Sequence, residues 1–184
     1  RGSAMNKLAT VFSILVLCFR VEAQDILVDR ESRVSFFSEA PLQNISAVTQ
    51  RAVSALNIAS REIAFKVPIK SFDFRKRLMQ EHFNENYMES DRFPYATFGG
   101  KINGSVDWSR DGAYPVTVTG NLEIHGIKKV YTTGATINVE GGQITAATKF
   151  KVKVADHDIE IPRIVIKNIA EVVEVEVLAV YRKH

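Results

Sequence analysis

The chain has 184 residues, 24 basic against 21 acidic side chains, a formal net charge of +3 and a single cysteine, Cys18. A balance this close to neutral excludes the basic footprint that nucleic acid requires and the polybasic block that holds an anionic membrane surface. One cysteine excludes an internal disulfide framework.

The first four residues, "RGSA", read as an expression scar, and residues 5–23 as a secretory signal peptide. Lys7 supplies the basic start, "LATVFSILVLCF" the apolar core and Ala23 a small residue at the cut. The apolar run is shorter than the ~20 residues of a membrane span. Leu17 is too large for a lipoprotein signal ending at Cys18. Cleavage after Ala23 removes the cysteine together with Arg1, Lys7, Arg20 and Glu22, so the formal charge falls to about +1. Residues 24–184 are left as one exported domain, with no stable membrane insertion after cleavage.

Beyond the leader, apolar residues recur with the period of two that marks half-buried strands. In "EIAFKVPIKSF", Ile63, Phe65, Val67 and Ile69 share a face opposite Lys66 and Lys70. The segment "FRKRLMQEHFNENYM" (74–88) then switches to helical spacing, with Leu78, Met79, His82, Phe83 and Met88 on one side and Ser71 or Asp73 as cap. In "PVTVTGNLEIHG", Val116, Val118, Leu122 and Ile124 oppose Thr117, Thr119, Asn121, Glu123 and His125. In "QITAATKFKVKV", Ile144, Ala146, Thr148, Phe150, Val152 and Val154 oppose Thr145, Lys149, Lys151 and Lys153. A one-residue slip would bury lysines, so register is strongly specified. Turn signals fall at Gly99–Gly100, Asn103–Gly104, Asp111–Gly112, His125–Gly126 and Gly141–Gly142. About eight strands at this spacing indicate an all-β sandwich or barrel. The inward positions mix large groups (Phe65, Leu122, Phe150) with small ones (Gly120, Ala146, Thr148), which suits either a filled, tapering barrel or one open to a single ligand.

Three segments resemble the YceI-like family of secreted bacterial lipocalin-like barrels. "HFNENYMESDRFPYATF" is similar to its helix-to-strand segment, through His82, Phe83, Phe93, Pro94 and Phe98. "VTGNLEIHGIKKVY" matches its G-x-L-x-I-x-G pattern at Gly120, Leu122, Ile124 and Gly126, and "KFKVKVADHDIEIP…NIAEVVEVEVLAVY" resembles its closing hairpin. The likeness covers roughly residues 60 to 184. Residues 26–59 depart from it, since the opening hairpin of the family is rich in glycine and this stretch has none. A narrowed or differently closed front is expected there.

The resemblance implies an eight-stranded antiparallel lipocalin-like barrel with one short lid helix, holding a polyisoprenoid or fatty-acyl chain in the bacterial periplasm or outside the cell. It implies a binder, not an enzyme. Strand parity and the helix face nominate Phe65, Val67, Ile69, Leu78, Phe83, Phe98, Leu122, Ile124, Phe150 and Val152 as walls, and His82 as the polar group at the mouth. Leu78, Phe83 and Tyr87 are expected to face inward from the lid.

No catalytic, phosphate-binding or zinc-binding motif is present, so neither a cofactor nor a metal is expected. "DHDIE" clusters Asp156, His157, Asp158 and Glu160, and reads as a solvated loop rather than a cation site. The expected partner is one apolar lipid or isoprenoid ligand, and a homodimer is left open. The competing reading is a closed barrel that serves as an interaction module with no small-molecule ligand.

Overall fold

A computed structural model describes residues 26–39, 44–160 and 171–182; the leader expected at residues 5–23 lies outside them. The elements are β1 Ile26–Ser38, β2 Ile45–Asn57, β3 Glu62–Pro68, β4 Asp73–Phe74, α1 Arg77–His82, β5 Tyr95–Asn103, β6 Gly112–Ile124, β7 Ile127–Glu140, β8 Gln143–Lys153 and β9 Val172–Arg182. Spatial order runs β1-β9-β8-β7-β6-β5-β3-β2, and a β1–β2 pairing closes the ring. The result is the eight-stranded antiparallel barrel with a short lid helix. β4 stands outside the ring as a two-residue extension, pairing Phe74 with Ala47 and Asp73 with Val48 on β2.

Antiparallel order sends the connections alternately to two ends. At one end lie residues 58–61, 104–111 and 141–142; at the other lie the end of β1, the start of β2, and residues 69–94, 125–126 and 154–160. The first end is plugged. Leu56, Ile102, Ile137, Ile144 and Tyr181 are buried there, with Trp108 and Tyr114 packed against them. Tyr181 is fully buried and hydrogen-bonds Ser54; burial pushes its phenol pKa well above the ordinary value.

Two tight turns follow from local chemistry. His125 (φ 53°) and Gly126 (φ 73°) link β6 to β7, and Gly141 (φ 55°) and Gly142 (φ 82°) link β7 to β8. Two consecutive positive φ values are the signature of the type I′ hairpin, whose twist matches the strands. A further glycine pair has a steric role. Gly100 and Gly120 face each other across β5 and β6. A Cβ at Gly120 would fall 2.4 Å from the Gly99 carbonyl oxygen and 2.7 Å from the tip of the Phe98 ring. The ring lies over this bare pair of backbones.

The front of the barrel closes without glycine. β1 and β2 are full strands, paired from Ile26↔Asn57 to Ser38↔Ile45 with register shifts between Asp29 and Val34. The Asp29 carboxylate holds this bulge. It accepts hydrogen bonds from the Glu31 backbone N–H at 3.0 Å, the Ser32 hydroxyl at 2.7 Å and the Val180 N–H of β9 at 2.9 Å. A side chain therefore holds the bend in a stretch that has no glycine.

The helix is also shorter than its apolar spacing predicts. Phe74 is taken by β4, α1 begins at Arg77, and a π turn over Phe83–Tyr87 continues it. Lys76 is the N-cap and gives no side-chain cap bond. Ser71 does not cap either, because its hydroxyl donates to the Pro68 carbonyl at 2.6 Å and accepts from Thr49 at 2.7 Å.

Candidate functional site: an apolar cavity under the lid

Between the plug and the lid the barrel encloses a cavity of about 360 Å³. That lies within the ~300–1,000 Å³ typical of small-molecule sites. The register of the sheet builds its walls. Phe65, Phe98 and Leu122 sit side by side across β3, β5 and β6. Opposite them, Phe150, Val175 and Phe36 form a row across β8, β9 and β1. Each of these side chains faces the cavity.

The lid closes on an aromatic cluster. Phe83 stacks on Phe36 with centroids 5.4 Å apart and rings 22° from parallel. It tilts against Phe74 at 4.9 Å and meets Phe72 edge-on at 5.8 Å. Phe83 and Tyr87 stand at the two ends of the π turn, four residues apart. Tyr87 lines the cavity, and burial raises its phenol pKa.

Of the residues nominated from sequence, Phe65, Val67, Ile69, His82, Phe83, Phe98, Leu122, Ile124, Phe150 and Val152 all line the cavity. Leu78 does not. It is 62% exposed, so its expected inward orientation is incorrect. With α1 starting at Arg77, the inward set at spacing i, i+3, i+4 is Met79, His82 and Phe83. Leu78 is rotated about 100° from Met79, into solvent. His82 is exposed at the rim of the cavity.

Sequence reasoning missed Phe36, Phe72, Phe74 and Tyr131, which also line the cavity. Tyr131 was legible in principle: it continues the alternation Ile137, Ala135, Thr133 back along β7. Phe36 was obscured by the bulge in β1, which breaks the period upstream of it.

The reading of "DHDIE" as a solvated loop is overturned at its centre. Asp156 and Asp158 are exposed, but His157 is fully buried in a 3₁₀ turn over Val154–His157. Its Nδ1–H donates to the Ile127 carbonyl at 2.9 Å, so its Nε2 accepts the Tyr131 hydroxyl at 3.0 Å. Burial, and secondarily the charge of Asp156, raise the Tyr131 pKa. His125 continues the network. Its Nδ1–H donates to the His157 carbonyl at 3.1 Å and its Nε2 meets the Glu89 carboxylate at 2.6 Å. These bonds tie the lid segment, the β6–β7 turn and the 3₁₀ turn into one rim. Among the described residues, no group of three His, Cys, Asp or Glu side chains is arranged to hold a metal, and no helix is long and apolar enough to cross a membrane.

A family model described as the YceI-like domain matches residues 27–181. Among solved structures, a polyisoprenoid binding domain from Saccharophagus degradans, implicated in plant cell wall breakdown, superposes with a TM-score of 0.73 at 15% identity, over 88% of this chain and 99% of that one. Burkholderia cenocepacia BcnA follows at 0.69 and 17%, over 81% and 95%. The Campylobacter jejuni YCEI protein gives 0.57 and 18%, over 72% and 81%. At these identities the likeness is one of fold. No curated protein sequence matches the chain.

Proposed function

The chain belongs to the YceI-like domain family, and on that premise we propose that its barrel binds one long apolar ligand, of polyisoprenoid or fatty-acyl type, in the cavity beneath the lid. The observation that carries this reading is the wall itself: a cavity of about 360 Å³ bounded by phenylalanine, valine, isoleucine and leucine side chains. Each methylene moved from water into such a wall gains about 0.8 kcal/mol. A chain of about fifteen carbons therefore gains on the order of 10 kcal/mol before the cost of ordering it. The polyisoprenoid binding named for the Saccharophagus degradans domain agrees with this chemistry.

In this reading Phe65, Val67, Ile69, Phe83, Phe98, Leu122, Ile124, Phe150 and Val152 are the contact walls. His82, at the rim, offers a hydrogen bond to a polar atom near the mouth. The protein is exported through the leader at residues 5–23 and carries its ligand in the periplasm or outside the cell, without chemistry of its own.

Native mass spectrometry of the chain from Gln24 onward, exported to a bacterial periplasm, tests the reading. A bound mass equal to an isoprenoid or acyl species is the expected result. A clean apo mass, unchanged after incubation with lipid extract, overturns it and favours a closed interaction module.

A further inference from the structure

The barrel wall is slit between β7 and β8. Their ladder runs only from Glu140↔Gln143 to Ala135↔Thr148, although β7 begins at Ile127 and β8 continues to Lys153. Each strand stays paired on its other side along this length: β7 to β6 as far as Ile127, and β8 to β9 as far as Lys153. Only their facing edges part. Thr148 closes the lower corner, its hydroxyl donating to the Gly134 carbonyl at 2.7 Å. His157 spans the upper one through Ile127 and Tyr131.

Tyr131 borders both the internal cavity and a groove on the outer face of this slit. Lys129, Lys151 and Lys153 line the groove. None of the three makes an ion pair among the described residues, whereas their neighbours do: Lys128 with Glu123 at 3.6 Å, and Lys149 with Glu174 at 2.6 Å and Glu176 at 3.0 Å. Among the described residues Asp156 is the carboxylate that borders the groove, and Glu174, opposite Lys151 on β9, pairs with Lys149, so basic side chains outnumber acidic ones there. A concave site with such an excess concentrates anions. The apolar interior, by contrast, cannot hold a charge without a large desolvation cost.

We propose that this slit is a lateral portal, and that the ligand has an anionic end, a carboxylate or phosphate, which passes beside Tyr131 to rest among Lys129, Lys151 and Lys153. The inference rests on the apolar-carrier reading and adds the class of headgroup and its place. The chain of the ligand stays in the cavity. Its charge leaves sideways through the wall rather than upward past the lid.

Displacement of a fluorescent apolar probe at low salt, with palmitic acid and cetyl alcohol as competitors, tests it. The expected result is that palmitate competes about tenfold more strongly than the alcohol, a preference that salt weakens. Replacing Lys129, Lys151 and Lys153 together by Gln removes the preference and leaves the alcohol affinity unchanged, which also shows that the variant is folded. Replacing Arg75, Lys76 and Arg77 by Gln, on the lid side, leaves the preference in place. Cetyl phosphate in the same assay separates a phosphate end from a carboxylate end, by whichever anion competes better.

Equal competition by acid and alcohol overturns the portal while leaving the apolar carrier intact. So does a preference that survives in the lysine variant, in which case the lysines only guard an exposed strand edge. Loss of the preference in the lid variant moves the headgroup to the mouth and overturns it too. Failure of both competitors to displace the probe removes the carrier reading and the portal with it.

Discussion

Tyr131 and His157 lie stacked, their rings 15° from parallel, and the tyrosine hydroxyl donates to the histidine Nε2 across 3.0 Å. The pair joins β7 to the 3₁₀ turn where β7 and β8 no longer share a ladder. A side-chain bond here stands in for backbone bonds. Replacing His157 by Ala empties a fully buried position and takes a partner from the part-buried Ile127 carbonyl and Tyr131 hydroxyl, and is expected to cost about 2–4 kcal/mol. Tyr131→Phe removes one hydrogen bond and costs about 1 kcal/mol. Urea unfolding of the two variants gives the ratio, and equal losses would mean that the histidine does no more than the hydroxyl.

The glycine pair under Phe98 predicts an asymmetric outcome. Gly120→Ala drives a methyl into the Gly99 carbonyl oxygen and the Phe98 ring. The backbone cannot retreat, so destabilisation of about 1–3 kcal/mol or more is expected. Gly134, on β7, meets nothing within 4 Å of a built Cβ. Gly134→Ala is expected to stay within about 0.5 kcal/mol or to stabilise slightly. Thermal denaturation of the two variants side by side checks the contrast.

Leu78 and Phe83 separate the two faces of the lid. Leu78→Ala removes an exposed side chain and is expected to change stability by less than about 0.5 kcal/mol, with no effect on ligand affinity. Phe83→Ala removes the ring that contacts Phe36, Phe72 and Phe74. Its cost is expected near 2–3 kcal/mol, below that of a fully buried phenylalanine, together with weaker binding of an apolar probe. Equal effects of the two substitutions would mean that α1 presents its other side to the barrel.

The buried phenol of Tyr181 makes alkaline pH destabilising. Its folded pKa is raised, so above about pH 10, the ordinary phenol value, the unfolded chain loses a proton that the native state keeps. The stability is fully present below pH 10 and is lost as pH rises toward the folded value. Tyr181→Phe cannot ionise, so its urea midpoint is expected to fall less than that of the native chain between pH 9 and pH 11. Parallel curves for the two proteins would show that the phenol ionises as readily folded as unfolded.

Much of this architecture was legible in the sequence, for a physical reason. Where lysines alternate with apolar groups, as in β8, only one register keeps charge out of the core, and Phe150 and Val152 face the cavity as parity requires. Alternation alone left a sandwich or a barrel open, and it was the likeness of three segments to the YceI-like family that implied the eight-stranded barrel with its short lid. What could not be read was whatever depended on two distant stretches at once. The β1 bulge is held by Asp29 reaching across to Val180, and no local pattern announces that. His157 sits between two exposed aspartates, so its neighbourhood looks solvated while its own ring is buried. Leu78 was misjudged because a six-residue helix is too short for its apolar spacing to fix which side faces in.

Ile26 pairs with Asn57, and Arg182 with Gln143. The described chain thus enters and leaves the barrel at the plugged end, opposite the lid. A dye or a solid support attached through a side chain at Ile26 or Arg182 therefore points the lid end outward. A surface that holds the protein at either of these two positions would keep the lid toward the sample.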